Sequence, residues 1–280
     1  MKNSDSKNWI NVLGIPVFSR KKEYIFEKID KYLFGGGKSD SYRSKIGKKP
    51  FTIFTPNAEI LVYAQKDKRF SQILKQADVT VPDGTLVVWA MNFFPTPNSQ
   101  LPTPNRIKRI AGVDLMADLV FYASKRAVTI GVIGGRGGLA LEALECLKRQ
   151  FPTLKGWVED GPELEVRSLK LEVGWSKKVK EIVRTIQMYE TDILFVAFGH
   201  PKQEYFIDEV KKELIAAGYD RPIVLMAVGG ALDFIAGRVP RAPVWMREHG
   251  LEWLFRLIVQ PWRIKRQLAL GEFVFRVMRT

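Results

Sequence analysis

Cysteine is nearly absent from this 280-residue chain, where Cys146 stands alone. An internal disulfide is excluded, and the composition suits a reducing compartment. Cys146 falls in an apolar helical pattern over residues 139–147, which predicts a buried thiol rather than a nucleophile. Histidine is as scarce, with only His200 and His249, and Asp-x-Asp occurs nowhere. Neither a zinc site of the usual spacing nor a metal clamp on a diphosphate is therefore written into the sequence. The missing G-x-S-x-G elbow leaves a Ser-His-Asp hydrolase unsupported. No uncharged apolar run approaches the roughly 18 residues that span a bilayer. The opening MKNSDSKNW lacks the apolar core of a secretory leader, so a cytoplasmic protein is expected. Acids are few: 30 Asp and Glu against 44 Lys and Arg give a net charge of +14. That surplus favours anionic partners, whether nucleic acid, phosphorylated molecules or an anionic membrane surface, without choosing among them.

What is present is a globular composition, 46% hydrophobic and 26% charged, long enough for one large α/β domain or two coupled halves. The chain is organised around DILFVAFGHPKQEYF, residues 192–206. Residues 193–198 have the length and β-branched content of a buried parallel strand. The run stops at Gly199, and Pro201 opens a helix with Phe206, Val210 and Leu214 on one face and Gly218 as its stop. Open α/β sheets place their ligands beyond such strand ends. Into this turn fall His200, Lys202, Gln203 and Glu204, either as a solvated first helical turn or as site residues.

From the start of the chain, residues 12–18 read as a strand and 22–33 as an amphipathic helix. Residues 35–50, rich in Gly, Ser and Lys, form a basic loop, either a solvated insertion or an anion site. Residues 51–54 are a strand, followed by one long helix to residue 77 that Thr55 caps, with Pro56 at its first position. Asn57 then lies in the first turn, where free N–H groups favour an anion or a sugar hydroxyl, although cap chemistry alone also accounts for it. Residues 79–81 form a strand ending in Pro82-Asp83-Gly84, so Asp83 is either a turn residue or a poised acid/base. Residues 92–106 carry four prolines and make a loop before a further helix that brings Arg109 and Asp114.

Residues 127–133 are a strand, and Gly135, Gly137 and Ala140 after it match G-x-G-x-x-A, with Glu159 and Asp160 about twenty residues on. With residues 192–218 and 222–237 this makes three consecutive strand–glycine–helix units, hence a Rossmann-like half. From residue 238 the character changes: nine Lys and Arg face three acids, interleaved with Trp245, Trp253, Phe255, Trp262, Phe273 and Phe275. That pattern fits interfacial helices on anionic lipid better than a nucleic-acid surface, with a plain core-packing end as the bland alternative. The expected organisation is an α/β chain with a Rossmann-like parallel sheet and helices on both faces. It divides into an N-terminal half at 1–126, a nucleotide-binding half at 127–240 and a basic, aromatic helical appendage at 241–280. The strand ends offer a carboxylate (Asp83), amides (Asn57, Gln203), glycine loops and arginines. Such a set suits displacement of a phosphorylated leaving group. A nicotinamide-dependent oxidoreductase using residues 134–140 is the alternative, and a basic nucleic-acid-binding module the third reading.

Taken together, TPNAEIL (55–61), VPDG (81–84), RIAGVDLM (109–116), VIGG (132–135), AFGHPKQE (197–204), GGALDFIAGRVPRAP (229–243) and GLEWLFRLIVQPWRIKR (250–266) resemble the WecG/TagA/CpsF glycosyltransferases. The resemblance runs in order from about residue 12 to 270. It implies inverting, metal-independent transfer, with no cofactor, of an N-acetylmannosamine-type sugar from a UDP donor to N-acetylglucosamine on a polyprenyl diphosphate, peripherally on the inner face of the cell membrane. By motif position, Asp83 would be the general base, and Thr55, Asn57, Arg109 and Gln203 would line the sugar and acceptor pocket. Arg256, Arg263 and Arg266 would close over the site and bind diphosphate. By loop position rather than by motif, Gly134, Gly135, Asp160, Gly199, Gly229, Gly230 and Asp233 would lie along the UDP. The appendage is expected to be loosely ordered in solution and to dock when lipid or homo-oligomer contacts are made; nucleic acid is not expected as a partner.

Overall fold

The computed structural model describes residues 8–35, 49–94, 107–161, 172–261 and 264–279. Most of the predicted basic loop at 35–50 and proline-rich loop at 92–106 lies outside the described residues, as does Arg263.

Six parallel strands make the central sheet, in the order β4-β3-β8-β7-β5-β6. These are β3 (Phe51–Phe54), β4 (Val79–Thr80), β5 (Thr129–Gly134), β6 (Lys155–Glu159), β7 (Ile193–Ala197) and β8 (Val224–Ala227). Every residue of β3, β7 and β8 is buried, as continuous apolar runs in a sheet covered on both faces must be. One face carries α2 (Ala58–Lys66), α3 (Lys68–Lys75), α4 (Thr85–Phe93), α7 (Glu172–Met188) and α8 (Lys202–Ala216). The other carries α1 (Lys22–Phe34), α5 (Gly112–Arg126), α6 (Leu139–Gln150) and α9 (Ala231–Ile235). The expected buried face of α8 is there: Phe206, Val210 and Leu214 are fully buried. β8 slots between β3 and β7, so strands from both halves of the sequence share one sheet. The connection after β5 leads outward to β6 and the one after β7 leads the other way to β8, which opens a crevice between β5 and β7.

Four local readings change. Residues 12–18 are not one strand. β1 (Trp9–Val12) and β2 (Ile15–Phe18) form an antiparallel hairpin whose turn, Leu13 and Gly14, has φ of 49 and 76°, the twist a two-residue hairpin needs. The long helix from residue 55 is two, because Asp67 ends α2 and accepts from the Phe70 N–H at 3.0 Å to cap α3. The cap of α2 is Asn57, not Thr55: its Oδ1 accepts from the Ile60 N–H at 3.0 Å. Cys146 is half-exposed rather than buried and accepts from Arg149.

The appendage is docked. It comprises α10 (Val244–Glu248), α11 (Glu252–Val259) and α12 (Ile264–Val277). α12 lies against α2 and α4, with Phe273 fully buried and Val277 nearly so in the core. An ion pair from Lys66 to Glu272 at 2.6 Å borders this contact. Among the described residues no helix is long and apolar enough to cross a membrane.

Candidate active site

The turns that end β3 and β4 are stitched together beyond the strands. Val81 N–H donates to Phe54 O at 2.8 Å, Asp83 N–H to Pro56 O at 3.3 Å, and Ile110 N–H to Pro82 O at 3.1 Å. This backbone lacing brings Asn57, Asp83 and Arg109 to one place. Arg109 donates to both the Asp83 carbonyl and its Oδ1 at 3.3 Å, and to Glu252 Oε2 at 2.9 Å. Arg256, one turn along α11, donates to Glu252 Oε1 at 3.1 Å and stacks over the Phe234 ring at 4.5 Å. Asn57, Asp83, Arg109, Glu252, Trp253 and Arg256 line a cleft of about 280 Å³.

Charge in this cleft is finely opposed. Burial pushes the Asp83 carboxyl above its usual range; Arg109 and Arg256 pull the other way without cancelling it. Burial also works against ionised Glu252, but Arg109 and Arg256 hold that carboxyl below its usual range. Glu252 is therefore the ionised partner of two guanidiniums, and Asp83 the more basic acid beside it.

Of the residues expected here, Asn57, Asp83, Arg109 and Arg256 converge. Thr55 is 8% exposed and packs behind the cleft against Gly112, where an added Cβ would come within 3.1 Å of the Thr55 methyl. Gln203 does not line this cleft. It is 3% exposed, donates to Glu204 Oε1 at 3.0 Å and accepts from the Gly229 N–H at 2.9 Å, so its amide braces the turn after β8. Arg266 belongs to α12 by its backbone.

The glycines expected along a nucleotide do gather at the carboxyl ends of β5, β7 and β8. Gly134 has φ +116°, and a Cβ there would fall 2.6 Å from the Ala197 carbonyl. Close approach of β5 and β7 thus requires this glycine. Gly199 and Gly229 have φ of +73 and +52°, Gly230 follows, and Asp233 is half-exposed in the first turn of α9. Asp160 is exposed just past β6, while Glu159 pairs with Lys178 of α7. With strands about 4.8 Å apart, the edge from β4 to β5 spans roughly 19 Å.

Sequence reasoning missed Glu252, Arg238 and Arg241. Arg238 donates to the Gly137 carbonyl at 2.8 Å and pairs with Glu142 at 2.7 Å, bracing the glycine loop. Arg241 pairs with Asp114 at 2.8 Å and ties the root of the appendage to α5. The one signal for Glu252 was its spacing four residues before Arg256, a helical ion-pair pattern.

A doubly wound parallel sheet with a carboxylate, two arginines and glycine turns along its carboxyl edge defines an α/β enzyme of the Rossmann-like type. More narrowly, the chain belongs to the Glycosyl transferase WecG/TagA/CpsF family, whose profile matches residues 10–280. It is 30% identical over 234 residues, 81% of this chain and 78% of the relative, to an N-acetylglucosaminyldiphosphoundecaprenol N-acetyl-beta-D-mannosaminyltransferase of Bacillus subtilis (strain 168). To the protein of the same description in Bacillus spizizenii (strain ATCC 23059 / NRRL B-14472 / W23) it is 29% identical over 229 residues, again 81% of this chain and 78% of the relative. The chain is a glycosyltransferase, and the oxidoreductase alternative gives way.

Proposed function

We propose that this enzyme transfers N-acetylmannosamine from UDP to N-acetylglucosamine carried on a polyprenyl diphosphate, in cell-surface polysaccharide or teichoic acid synthesis. The relatives' names support the sugar, the acceptor and a β-linked product. The observation that carries the chemistry is Asp83, a carboxyl of raised basicity in a cleft that also offers an amide and two guanidiniums. Asp83 takes the proton of the acceptor hydroxyl, whose oxygen forms a bond to the anomeric carbon. The bond from that carbon to the diphosphate oxygen breaks, its electron pair leaves with UDP, and the configuration inverts. Asn57 orients the sugar. Arg109 and Arg256, with Arg263 and Arg266 by family resemblance, neutralise charge developing on the leaving diphosphate in place of a metal. The glycine turns at Gly134, Gly135, Gly199, Gly229 and Gly230, flanked by Asp160 and Asp233, hold the nucleotide along the edge; Thr55 and Gln203 support the turns behind it.

Peripheral attachment on the inner face of the membrane is part of the reading. Trp245, Trp253, Ile258, Ile264 and Leu268 of the appendage are exposed, from 44% for Trp253 to 78% for Leu268. Apolar and aromatic exposure on a basic helical segment suits an anionic lipid surface. A homo-oligomer would make its contacts on the same appendage.

The test is transfer from UDP-N-acetylmannosamine to a short polyprenyl-diphosphate N-acetylglucosamine in EDTA, against UDP-N-acetylglucosamine and UDP-glucose. The expected result is transfer of N-acetylmannosamine alone, with the anomeric configuration inverted by NMR. A metal requirement, retention of configuration or preference for another donor would overturn the corresponding part.

A further inference from the structure

We propose that Glu252 is a positioning residue: its carboxylate draws Arg109 and Arg256 to itself and so leaves Asp83 free to accept a proton. This rests on the reading of Asp83 as the base. Glu252 begins α11, is 3% exposed, and its two oxygens take one arginine each, Arg109 at 2.9 Å and Arg256 at 3.1 Å. Arg109 is thus shared between two acids, and its bond to Glu252 is shorter than its 3.3 Å contact with Asp83 Oδ1. Charge-assisted bonds strengthen as they shorten and as they pair bidentately. Without the Glu252 carboxylate, both arms of Arg109 would turn to Asp83. That would hold the base ionised but unreactive, with its oxygens covered by guanidinium where the acceptor hydroxyl must reach.

The other charges around the pair do not supply the same counterweight. Among the described residues, Asp83 is faced by Arg109 and the Gly112 N–H from the start of α5, by Arg256 and Glu252 from α11, and by Glu59 of α2 across the cleft. Glu252 is faced in addition by Arg241, which is bonded to Asp114; Arg247 acts on Asp114 from α10. Among the described carboxylates, Glu252 alone pairs with both cleft arginines. Because it belongs to the appendage while Asp83 and Arg109 belong to the body, the basicity of Asp83 is set only when α11 is docked.

The carboxyl can be read directly. In protein carrying carbon-13 at aspartate Cγ, the Asp83 resonance is assigned by its loss in Asp83→Asn and titrated in the wild type, Glu252→Gln and Glu252→Asp. We expect Glu252→Gln to lower the proton affinity of Asp83 about tenfold or more, equivalent to about 1.4 kcal/mol. The acid limb of kcat/KM should move to lower pH with it, the plateau rate should drop, and Glu252→Asp should fall between. An unmoved Asp83 titration in folded Glu252→Gln, or a faster enzyme, overturns the inference. If Glu252→Gln does not fold, Glu252→Asp decides alone, since its titration must then lie below the wild type's. An active Asp83→Asn would overturn the base assignment instead, while the titration still reports whether Glu252 governs the carboxyl.

Discussion

Around Asp83 the carboxyl edge of the sheet presents side chains: two acids and two arginines, partly or fully withdrawn from water, meet from three chain segments. Around Gly134, roughly 19 Å along the same edge by strand spacing, it presents backbone, with left-handed or otherwise positive φ at Gly134, Gly135, Gly199 and Gly229. Of the charged groups there, Arg238 and Glu142 are spent on bracing a loop. Proton transfer needs titratable groups whose environments push them apart, and such groups are costly to bury. Holding the nucleotide along the edge needs closely spaced backbone N–H donors, which cost little once glycine permits the turn. One end should therefore fail in turnover while keeping its fold, and the other should lose stability and donor affinity together.

The sharpest break is Asp83→Asn. We expect turnover to drop about 10²- to 10⁴-fold, the range for a general base, measured with saturating donor and acceptor. Stability should move the other way. The carboxyl is raised in the folded state, so folded protein binds more protons than unfolded between the two values, and its stability falls as pH rises through that window. Asn removes this penalty, so Asp83→Asn should melt at or above the wild type at pH 7, and lie closer to it at pH 4. The wild type's kcat/KM should likewise have an acid limb above the ordinary carboxylate range.

At the backbone end, Gly134→Ala forces a side chain into a positive φ and against the Ala197 carbonyl. A loss of at least about 2 kcal/mol is expected from the strained conformation alone, read as a lower urea midpoint, with weaker UDP binding by calorimetry. Gln203→Met is a milder break. It leaves the Gly229 N–H without its acceptor and Glu204 without its donor, a cost of about 1–3 kcal/mol, and should raise the donor KM more than it lowers kcat. Smallest is Arg238→Ala. With Arg238 exposed, the melting temperature should not change measurably, and the donor KM should rise only modestly; a large loss of kcat would place Arg238 among the reacting groups and blur the contrast.

The same contrast governs how much was legible beforehand. β3, β7 and β8 are all-buried apolar runs, and the glycines that follow them mark their ends in the sequence as plainly as in space. β6 was missed because an edge strand with one neighbour can begin with Lys155 and end with Glu159. Asp67 was missed as a break because α2 and α3 share a continuous apolar pattern, and only the cap hydrogen bond separates them. In the cleft, Asp83 and Asn57 stood out as candidates by their places just beyond strands, each beside a plain turn or cap reading, and it was the resemblance that assigned them roles. Glu252 was not: it meets Arg109 across 143 residues of sequence, and a buried acid among tryptophan and leucine looks like a surface position of an amphipathic helix until the fold supplies its partners. Gln203 was placed at the correct strand end but not in its brace to Gly229, since which way a side chain turns at such an end is decided by the neighbouring loop.

The burial of Phe273 has a further consequence. The chain leaves the body at Arg241, clamped to Asp114, and returns to the core at Phe273, so α10 and α11 form a closed excursion and not a free arm. Most of the entropy of confining that excursion is lost when the protein folds. A surface that receives Trp253 and Ile258 therefore meets a segment already fixed at both ends, and its grip need not overcome the freedom of a tethered coil. Severing the clamp at Arg241 would return that freedom and weaken surface attachment without removing a single contact residue.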